Sequence, residues 1–151
     1  AVLAPALVLG DTRLRRLAPL LRVAAPLLPR RLAVQPKQGS DIADEEARRV
    51  HPLFPISLRG MAELSALQQS VRALLGRVTQ PVLILHGRLD RTCPVENVEI
   101  LRRELGSRQV LSRIFDRSAH ILTVDAEKGE VAAEVLRFVA PAAVQATGGS
   151  P

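Results

Sequence analysis

The chain has 151 residues, of which 47% are hydrophobic and 24% are charged, and its formal net charge is +6. Its length is typical of one domain, its hydrophobic content excludes a disordered chain, and its single cysteine, Cys93, excludes an internal disulfide and a four-cysteine zinc site. The basic residues are scattered without a run of five, and there is no Tyr or Trp for bases to stack on, so we expect no nucleic-acid partner.

The first half of the chain is predicted to be helical and irregular. Leucines at helical spacing predict a helix over residues 12–24, a short capped helix follows Asp41, and a third helix is predicted from about 60 to 76. The opening residues, AVLAPAL, are consistent with the end of a strand. The third helix has a single apolar stripe, which consists of Met61, Leu64, Leu67, Val71, Leu74 and Leu75.

The second half alternates between predicted strands and helices. The segment PVLILH at 81–86 predicts a strand that is buried on both faces, and QVLSRIF at 109–115 predicts another strand. Between them, a helix is expected to begin at Pro94 and to be closed by Gly106. A last helix is expected over residues 126–139. This order predicts parallel strands joined by right-handed crossovers.

Two polar residues follow the two predicted strands: Asp90 in a glycine-marked loop, and His120 in the loop after the second strand. Because parallel strands end at one edge of the sheet, we expect the carboxylate and the imidazole to lie side by side. A carboxylate that accepts the Nδ1 proton of histidine fixes its tautomer and stabilises the imidazolium during proton transfer. The alternative is that Asp90 caps the next helix, although Thr92 or Cys93 is better placed to cap a helix that begins at Pro94.

A family resemblance is carried by two segments, PVLILHGRLDRTCPVENVEIL and DRSAHILTVDAEKGEVAAEVLRFV. They resemble the carboxyl-terminal part of an α/β-hydrolase, most of all the bacterial carboxylesterases and monoacylglycerol lipases, which are close to the serine aminopeptidase-like hydrolases. The patterns that carry it are H-G-x-x-D-x-x-x-P and S-x-H-I-x-x-x-D, and the resemblance is strongest over residues 78–139.

The resemblance implies an α/β fold with about three parallel strands, flanking helices and a helical cap insertion. Residues 1–10 would then be the end of a core strand, residues 11–77 the cap, and residues 78–139 the carboxyl-terminal part of the hydrolase core. A disordered tail is expected over residues 140–151. The leucines of the cap would either line a pocket for an acyl chain or serve only for packing, and both interpretations stay open.

The resemblance also implies a carboxylic-ester hydrolase of the carboxylesterase or monoacylglycerol lipase type, acting on small-molecule acyl esters. By the match of motifs, Asp90 is the acid and His120 the base of a Ser-His-Asp triad, while Ser118 and Ile121 shape the loop that holds His120. No cofactor and no metal is implied, and the dispersed histidines argue against a metal site. Hydrolysis of peptides or thioesters is the alternative on the same fold.

The family's nucleophile is a serine in the motif G-x-S-x-G, and this sequence does not contain the motif. We therefore expect the chain to begin inside the sixth strand of the family's sheet, without the amino-terminal half of the hydrolase fold, and to have an open sheet edge. Cys93 is a conceivable substitute nucleophile, but a small residue in the turn before a helix is the favoured interpretation. The alternative to an enzyme is an inert half-hydrolase that acts as a binding module.

The other histidines have structural interpretations. His86 is expected to be a packed residue at the end of its strand, and His51 to lie on the surface. No apolar run reaches the roughly 20 residues of a membrane-spanning helix, so stable membrane insertion is not expected. The single cysteine fits a reducing compartment, and we expect a cytoplasmic protein.

Overall fold

The computed structural model describes residues 1–12, 41–51 and 55–147, together with positions 16, 17, 20, 23, 24, 27, 29, 34 and 35. The predicted helix over 12–24 therefore lies largely outside the described residues. The strands are β1 (Val2–Leu3), β2 (Val34–Gln35), β3 (Ile56–Ser57), β4 (Val82–Gly87) and β5 (Val110–Phe115). The α-helices are α1 (Glu45–Val50), α2 (Leu58–Leu74), α3 (Glu96–Glu104) and α4 (Lys128–Thr147), and a 3₁₀ turn follows α2 at Leu75–Arg77.

The core is a three-stranded parallel sheet in the order β1-β4-β5. β4 pairs with β5 over six residues, from Val82 opposite Val110 to Gly87 opposite Phe115. β1 pairs with the other side of β4, where Val2 lies opposite Ile84. The predicted fold class is thus confirmed: β4 and β5 are the two predicted strands, and β1 is the strand expected at the chain's beginning.

All six residues of β4 are buried, as its continuous run of Val, Leu and Ile predicts. Because side chains alternate along a strand, β4 contributes to a core on each face of the sheet. On one face, Val82 and Ile84 pack with residues of α3 and the end of α2, in the cluster Leu7, Leu75, Val82, Ile84, Val98 and Leu101. On the other face lies the cluster Leu83, Leu85, Phe115, Leu122 and Val131, against which Val135 and Phe138 of α4 pack.

The starts of α1 and α3 differ from the sequence prediction. The short helix after Asp41 is capped by Asp44, whose carboxylate accepts from the Ala47 N–H, and it begins at Glu45. α3 begins at Glu96 and not at Pro94, and its cap position, Val95, makes no side-chain capping bond.

The last helix continues to Thr147, beyond the predicted end at 139. The prediction of a disordered tail from 140 is therefore wrong over residues 140–147, while residues 148–151 lie outside the described part of the chain. The segment APAAVQAT at 140–147 contains four alanines, and alanine has the highest helix propensity, so it extends the helix despite its proline.

The apolar stripe predicted for α2 is buried only in part. Leu75, at its end, is 5% exposed, but Leu67, Val71 and Leu74 are 58%, 39% and 49% exposed. The helix instead buries Leu58 and Ala62 near its amino-terminal end. Helical spacing thus identified an apolar face correctly, but packing within the described residues covers little of it.

The segment over 11–77 also contains a feature that the sequence did not indicate, a small antiparallel sheet of β2 and β3. Its strands are two residues long, too short for an alternating pattern. Among the described residues, no helix is long and apolar enough to cross a membrane.

The central strand β4 and the edge strand β5 predict different responses to truncation. Leu85 of β4 is 0% exposed and Leu111 of the edge strand β5 is 50% exposed. We expect Leu85→Ala to lower the free energy of unfolding by about 2–5 kcal/mol, since it leaves a cavity in a closed core. Leu111→Ala should change it by about 0.5 kcal/mol or less. Urea unfolding of both variants measures the difference, and equal losses would contradict the assigned burial.

Candidate active site

The site lies where β4 and β5 end. The loops that follow the two strands are joined by backbone bonds, from the Arg88 N–H to the Phe115 carbonyl at 2.8 Å and from the Leu89 N–H to the Ser118 carbonyl at 3.1 Å. Two chain segments that are far apart in sequence are therefore held side by side. The first loop carries Asp90, and the second leads to His120 at the start of the next turn.

The predicted pairing of Asp90 with His120 is confirmed. His120 Nδ1 lies 2.8 Å from Asp90 Oδ2, across a sequence separation of 30 residues. The Asp90 side chain is fully buried, whereas the imidazole is 27% exposed. Because a carboxylate only accepts, Nδ1 is the donor, and Nε2 is the ring nitrogen that remains for proton exchange.

The second oxygen of Asp90 is engaged by its own loop. Oδ1 accepts from the Thr92 N–H at 2.9 Å and from the Cys93 N–H at 2.8 Å. The sequence offered capping of the next helix and pairing with His120 as alternatives for this carboxylate. The structure shows the pairing, whereas Oδ1 binds loop N–H groups ahead of α3, and the cap position of α3 makes no side-chain capping bond. The backbone bonds hold the carboxylate so that Oδ2 faces the imidazole. The expectation that Thr92 or Cys93 would cap the helix is wrong, because α3 begins at Glu96 and its cap position is Val95, which makes no side-chain capping bond.

The pKa of His120 is raised to about 10. The hydrogen bond to Asp90 is the main cause and the neighbouring Cys93 side chain is the second, and together they outweigh burial, which lowers the pKa. The environment therefore favours the imidazolium. This is the charge that develops when a histidine takes a proton from a nucleophile.

His86 is a buried neighbour of the pair, as its predicted place at the strand end requires. Its Nε2 donates to the Cys93 carbonyl at 2.8 Å and lies 3.5 Å from Asp90 Oδ2. Burial lowers its pKa, so this imidazole is neutral at neutral pH. His51, by contrast, is exposed at the end of α1, as predicted.

Cys93 is 1% exposed in the turn before α3, the location expected of a small structural residue. Its sulfur, one Asp90 oxygen and one His120 nitrogen lie within 4.8 Å of one another. The sequence argued against a metal because its three histidines are dispersed, with no cysteine or carboxylate at ligand spacing, and folding brings all three residue types together. Within this group, the carboxylate and the imidazole are hydrogen-bonded to each other.

The loop before His120 is braced by two buried acids that the sequence analysis did not single out. Glu127 Oε2 accepts from the Ser118 hydroxyl at 2.7 Å and from the Arg117 N–H at 2.9 Å. Asp125 Oδ2 accepts from the Ala119 N–H at 2.7 Å. Of these two acids, Asp125 belongs to the motif S-x-H-I-x-x-x-D. Its spacing from His120 in that motif was the one signal in the sequence that could have identified it.

The two residues that the resemblance assigned to shaping this loop make contacts of the expected kind. Ser118 is fully buried and bonds to Glu127 through its hydroxyl. The Ile121 N–H donates to the Asp41 carbonyl at 3.0 Å. Ser118 thus connects the loop to the start of α4, and Ile121 connects it to the segment before α1.

The fold and the family match together define an α/β-hydrolase, represented here by the last strands of its sheet and the loops that follow them. Residues 2–127 match the family model of the serine aminopeptidases, S33. The chain belongs to this family of hydrolases. A comparison of the sequence with curated proteins gave no match.

Solved structures of lipolytic enzymes share the fold. A metagenome-derived lipolytic enzyme, described in work on LipS and LipT, superposes with a TM-score of 0.74 at 24% identity, over 92% of this chain and 53% of that one. The monoacylglycerol lipase of Paleococcus ferrophilus gives 0.66 at 20% identity, over 90% and 56%. A soluble variant of monoglyceride lipase from Saccharomyces cerevisiae, solved with a substrate analogue, gives 0.67 at 16%, over 89% and 50%. The chain thus spans about half the length of each.

The raised pKa of His120 makes stability depend on pH. Its folded-state value, about 10, exceeds the value of about 6.5 in an unfolded chain. The stabilisation is fully present below about pH 6.5 and is lost as the pH rises through about 10. We expect the free energy of unfolding to decrease between about pH 7 and 10, and the decrease to be shallower in His120→Gln, as measured by urea unfolding. Parallel pH profiles for the two proteins would contradict the pairing.

Gly87 is where the two loops come closest. A Cβ on Gly87 would lie 2.1 Å from the Ala119 carbonyl oxygen and 2.4 Å from that of Ser118, whereas Gly76 has nothing within 4 Å. We expect Gly87→Ala to push the His120 loop away and to lower the free energy of unfolding by at least about 2 kcal/mol. Gly76→Ala is the matched control and should cost far less by urea unfolding.

Proposed function

We propose that Asp90 and His120 are the acid and the base of a Ser-His-Asp triad in a carboxylic-ester hydrolase. The observation that carries the proposal is the 2.8 Å contact between His120 Nδ1 and the buried Asp90 Oδ2. It meets the requirement of triad chemistry, in which a buried carboxylate orients the imidazole and stabilises its protonated form. The position of both residues after neighbouring strands at the carboxyl edge of the sheet supports the same assignment.

In the proposed mechanism, the neutral form of His120 takes, at Nε2, the proton of a serine hydroxyl as its oxygen attacks the carbonyl carbon of the ester. The resulting imidazolium gives that proton to the leaving alcohol, which departs as the acyl-enzyme forms. His120 then takes a proton from water, the hydroxyl attacks the acyl-enzyme, and the proton returns to the serine. Asp90 stabilises the imidazolium in each half of the cycle without being protonated itself.

The nucleophile is proposed to come from the part of the hydrolase fold that this chain does not span. The 151 residues contain no G-x-S-x-G, and the similar structures are about twice as long as this chain. Cys93 is a poor substitute, because it is 1% exposed.

The substrate class is proposed to be small-molecule acyl esters, of the carboxylesterase or monoacylglycerol lipase type. The three structures described above are lipolytic enzymes by name, which supports ester hydrolysis. The family description, serine aminopeptidase, keeps peptides as the alternative substrate, because the same acid–base pair serves both reactions.

The proposal is tested first on the coding sequence upstream of Ala1 and then on the protein that it encodes. We expect an in-frame extension that contains G-x-S-x-G, and hydrolysis of p-nitrophenyl butyrate and of a monoacylglycerol by the encoded protein. An aminoacyl p-nitroanilide assayed in parallel distinguishes the peptidase alternative. A stop codon directly upstream, or hydrolysis of neither the esters nor the anilide, would favour the inert half-hydrolase instead.

Within that protein, Asp90→Asn should lower kcat by roughly 10³- to 10⁴-fold, because an asparagine no longer holds the imidazole in the correct tautomer. The matched control is Asp116→Asn, which removes the other carboxylate of the same loop pair, one that forms a surface ion pair with Arg88. It should change kcat by less than about threefold. Comparable losses in the two variants would show that Asp90 is not the triad acid.

A further inference from the structure

Asp125 is a buried carboxylate that the triad chemistry does not use. Its residue is 0% exposed, and its two oxygens accept from four backbone N–H groups. Two of these donors lie close by in the chain, at Ala119 (2.7 Å) and Ala126 (2.8 Å). The other two belong to Ala43 (2.9 Å to Oδ2) and Asp44 (2.8 Å), more than 80 residues away.

These contacts stabilise the negative charge on the Asp125 carboxylate. Burial raises the pKa of the carboxyl, but the backbone hydrogen bonds outweigh it, so the pKa lies below its ordinary value. A buried carboxylate is costly unless donors surround it, and four N–H groups supply them. Conversely, Ala119 is only 4% exposed, so without Asp125 its N–H would be buried with no acceptor.

Both neighbours of His120 are held by the same region of the chain. On one side, the Ala119 N–H binds Asp125, which also binds the backbone of Ala43. On the other side, the Ile121 N–H donates to the Asp41 carbonyl at 3.0 Å. The imidazole therefore sits between two backbone anchors, and both lead to residues 41–44.

Residues 41–44 also contact the loop of the other triad member. The Thr92 hydroxyl donates to Asp41 Oδ1 at 2.6 Å, and the Thr92 N–H donates to Asp90 Oδ1. The segment 41–44 thus joins the loop that carries the carboxylate to the loop that carries the imidazole. Most of the hydrogen bonds in this connection are made by Asp125, whose carboxylate accepts from four backbone N–H groups.

We propose that Asp125 is a positioning residue: by binding Ala119 and residues 43–44, it sets the location of His120 relative to Asp90. The importance of Asp125 for catalysis rests on the proposed function, but its effect on the location of His120 does not. The competing explanation is a purely structural one, in which Asp125 only stabilises the loop at the start of α4, where its carbonyl accepts from the Lys128 N–H.

The test is NMR of the 151-residue chain, following the His120 imidazole through a pH titration. In Asp125→Asn, one oxygen becomes an NH₂ group that faces backbone donors, so Ala119 should shift and the Asp90 contact should lengthen. We expect the pKa of His120, about 10 in the wild type, to fall by at least about one unit. A wild-type titration near the ordinary value of about 6.5 would overturn the pairing and this proposal with it.

Two further variants separate position from charge and from stability. Asp125→Glu keeps the negative charge but displaces the carboxylate, so it should lower the pKa of His120 as well. Asp44→Ala is the matched control, because it removes the cap of α1 but keeps the Asp44 N–H on Asp125. It should leave the His120 titration unchanged. Wild-type behaviour of Asp125→Glu, or an equal shift in Asp44→Ala, would overturn the proposal.

A measurement on the wild type alone covers the case in which the Asp125 variants do not fold. Three protons should exchange with water through the same local opening event: the amide protons of Ala43 and Ala119 and the Nδ1 proton of His120. A protection factor of the Nδ1 proton more than about tenfold below that of the Ala119 amide, each taken relative to the exchange rate of the same group in a free chain, would overturn the proposal. Neither experiment uses a substrate, so loss of the proposed ester hydrolysis would leave this result standing.

Discussion

The parallel register of β4 and β5 is the constraint on which the site depends. Six consecutive pairs, from Val82–Val110 to Gly87–Phe115, make the strands end together. The loops that follow must then leave the sheet at one edge, where the absence of a side chain at Gly87 lets them touch. A side-by-side carboxylate and imidazole are a consequence of this pairing, since a slip along the ladder would displace Asp90 from His120 by about 3.3 Å per residue.

A second feature is the use of buried carboxylates to hold irregular backbone. The Asp90 side chain is fully buried, Asp125 is 0% exposed and Glu127 is 8% exposed, and each accepts at least one loop N–H group. Loops usually lie at the surface because buried backbone groups need partners. Here the acids supply those partners, so a packed and rigid loop can carry an imidazole whose reactivity depends on its position. Catalytic geometry of this kind tolerates little looseness.

The proposed roles of Asp90 and His120 specify a kind of chemistry without selecting a substrate. The family model describes serine aminopeptidases, whereas the similar structures are lipolytic enzymes. Both reactions need a base that activates a serine and returns the proton to a leaving group. Substrate choice depends on surfaces that line the bound acyl or peptide group, and the exposed leucines of α2 lie in the segment that the resemblance assigns to the cap.

Much of this protein was predictable from local patterns in the sequence. The run of Val, Leu and Ile in β4 indicated a strand buried on both faces, and the order of elements indicated parallel pairing, which together located Asp90 and His120 at one edge. These inferences succeed because burial and periodicity are local properties of the chain. The extension of α4 through the alanine-rich segment was misjudged, because the disorder expected near a chain terminus was set above the segment's helix propensity.

Tertiary structure decided the contacts that join distant segments. No local pattern shows that Asp125 binds Ala43, 82 residues away, or that Thr92 binds Asp41, 51 residues away. It also decided that one Asp90 oxygen holds its own loop while the other holds the imidazole. Such bonds depend on which backbone N–H groups lose their water as the chain folds, and that is determined only when the whole domain packs.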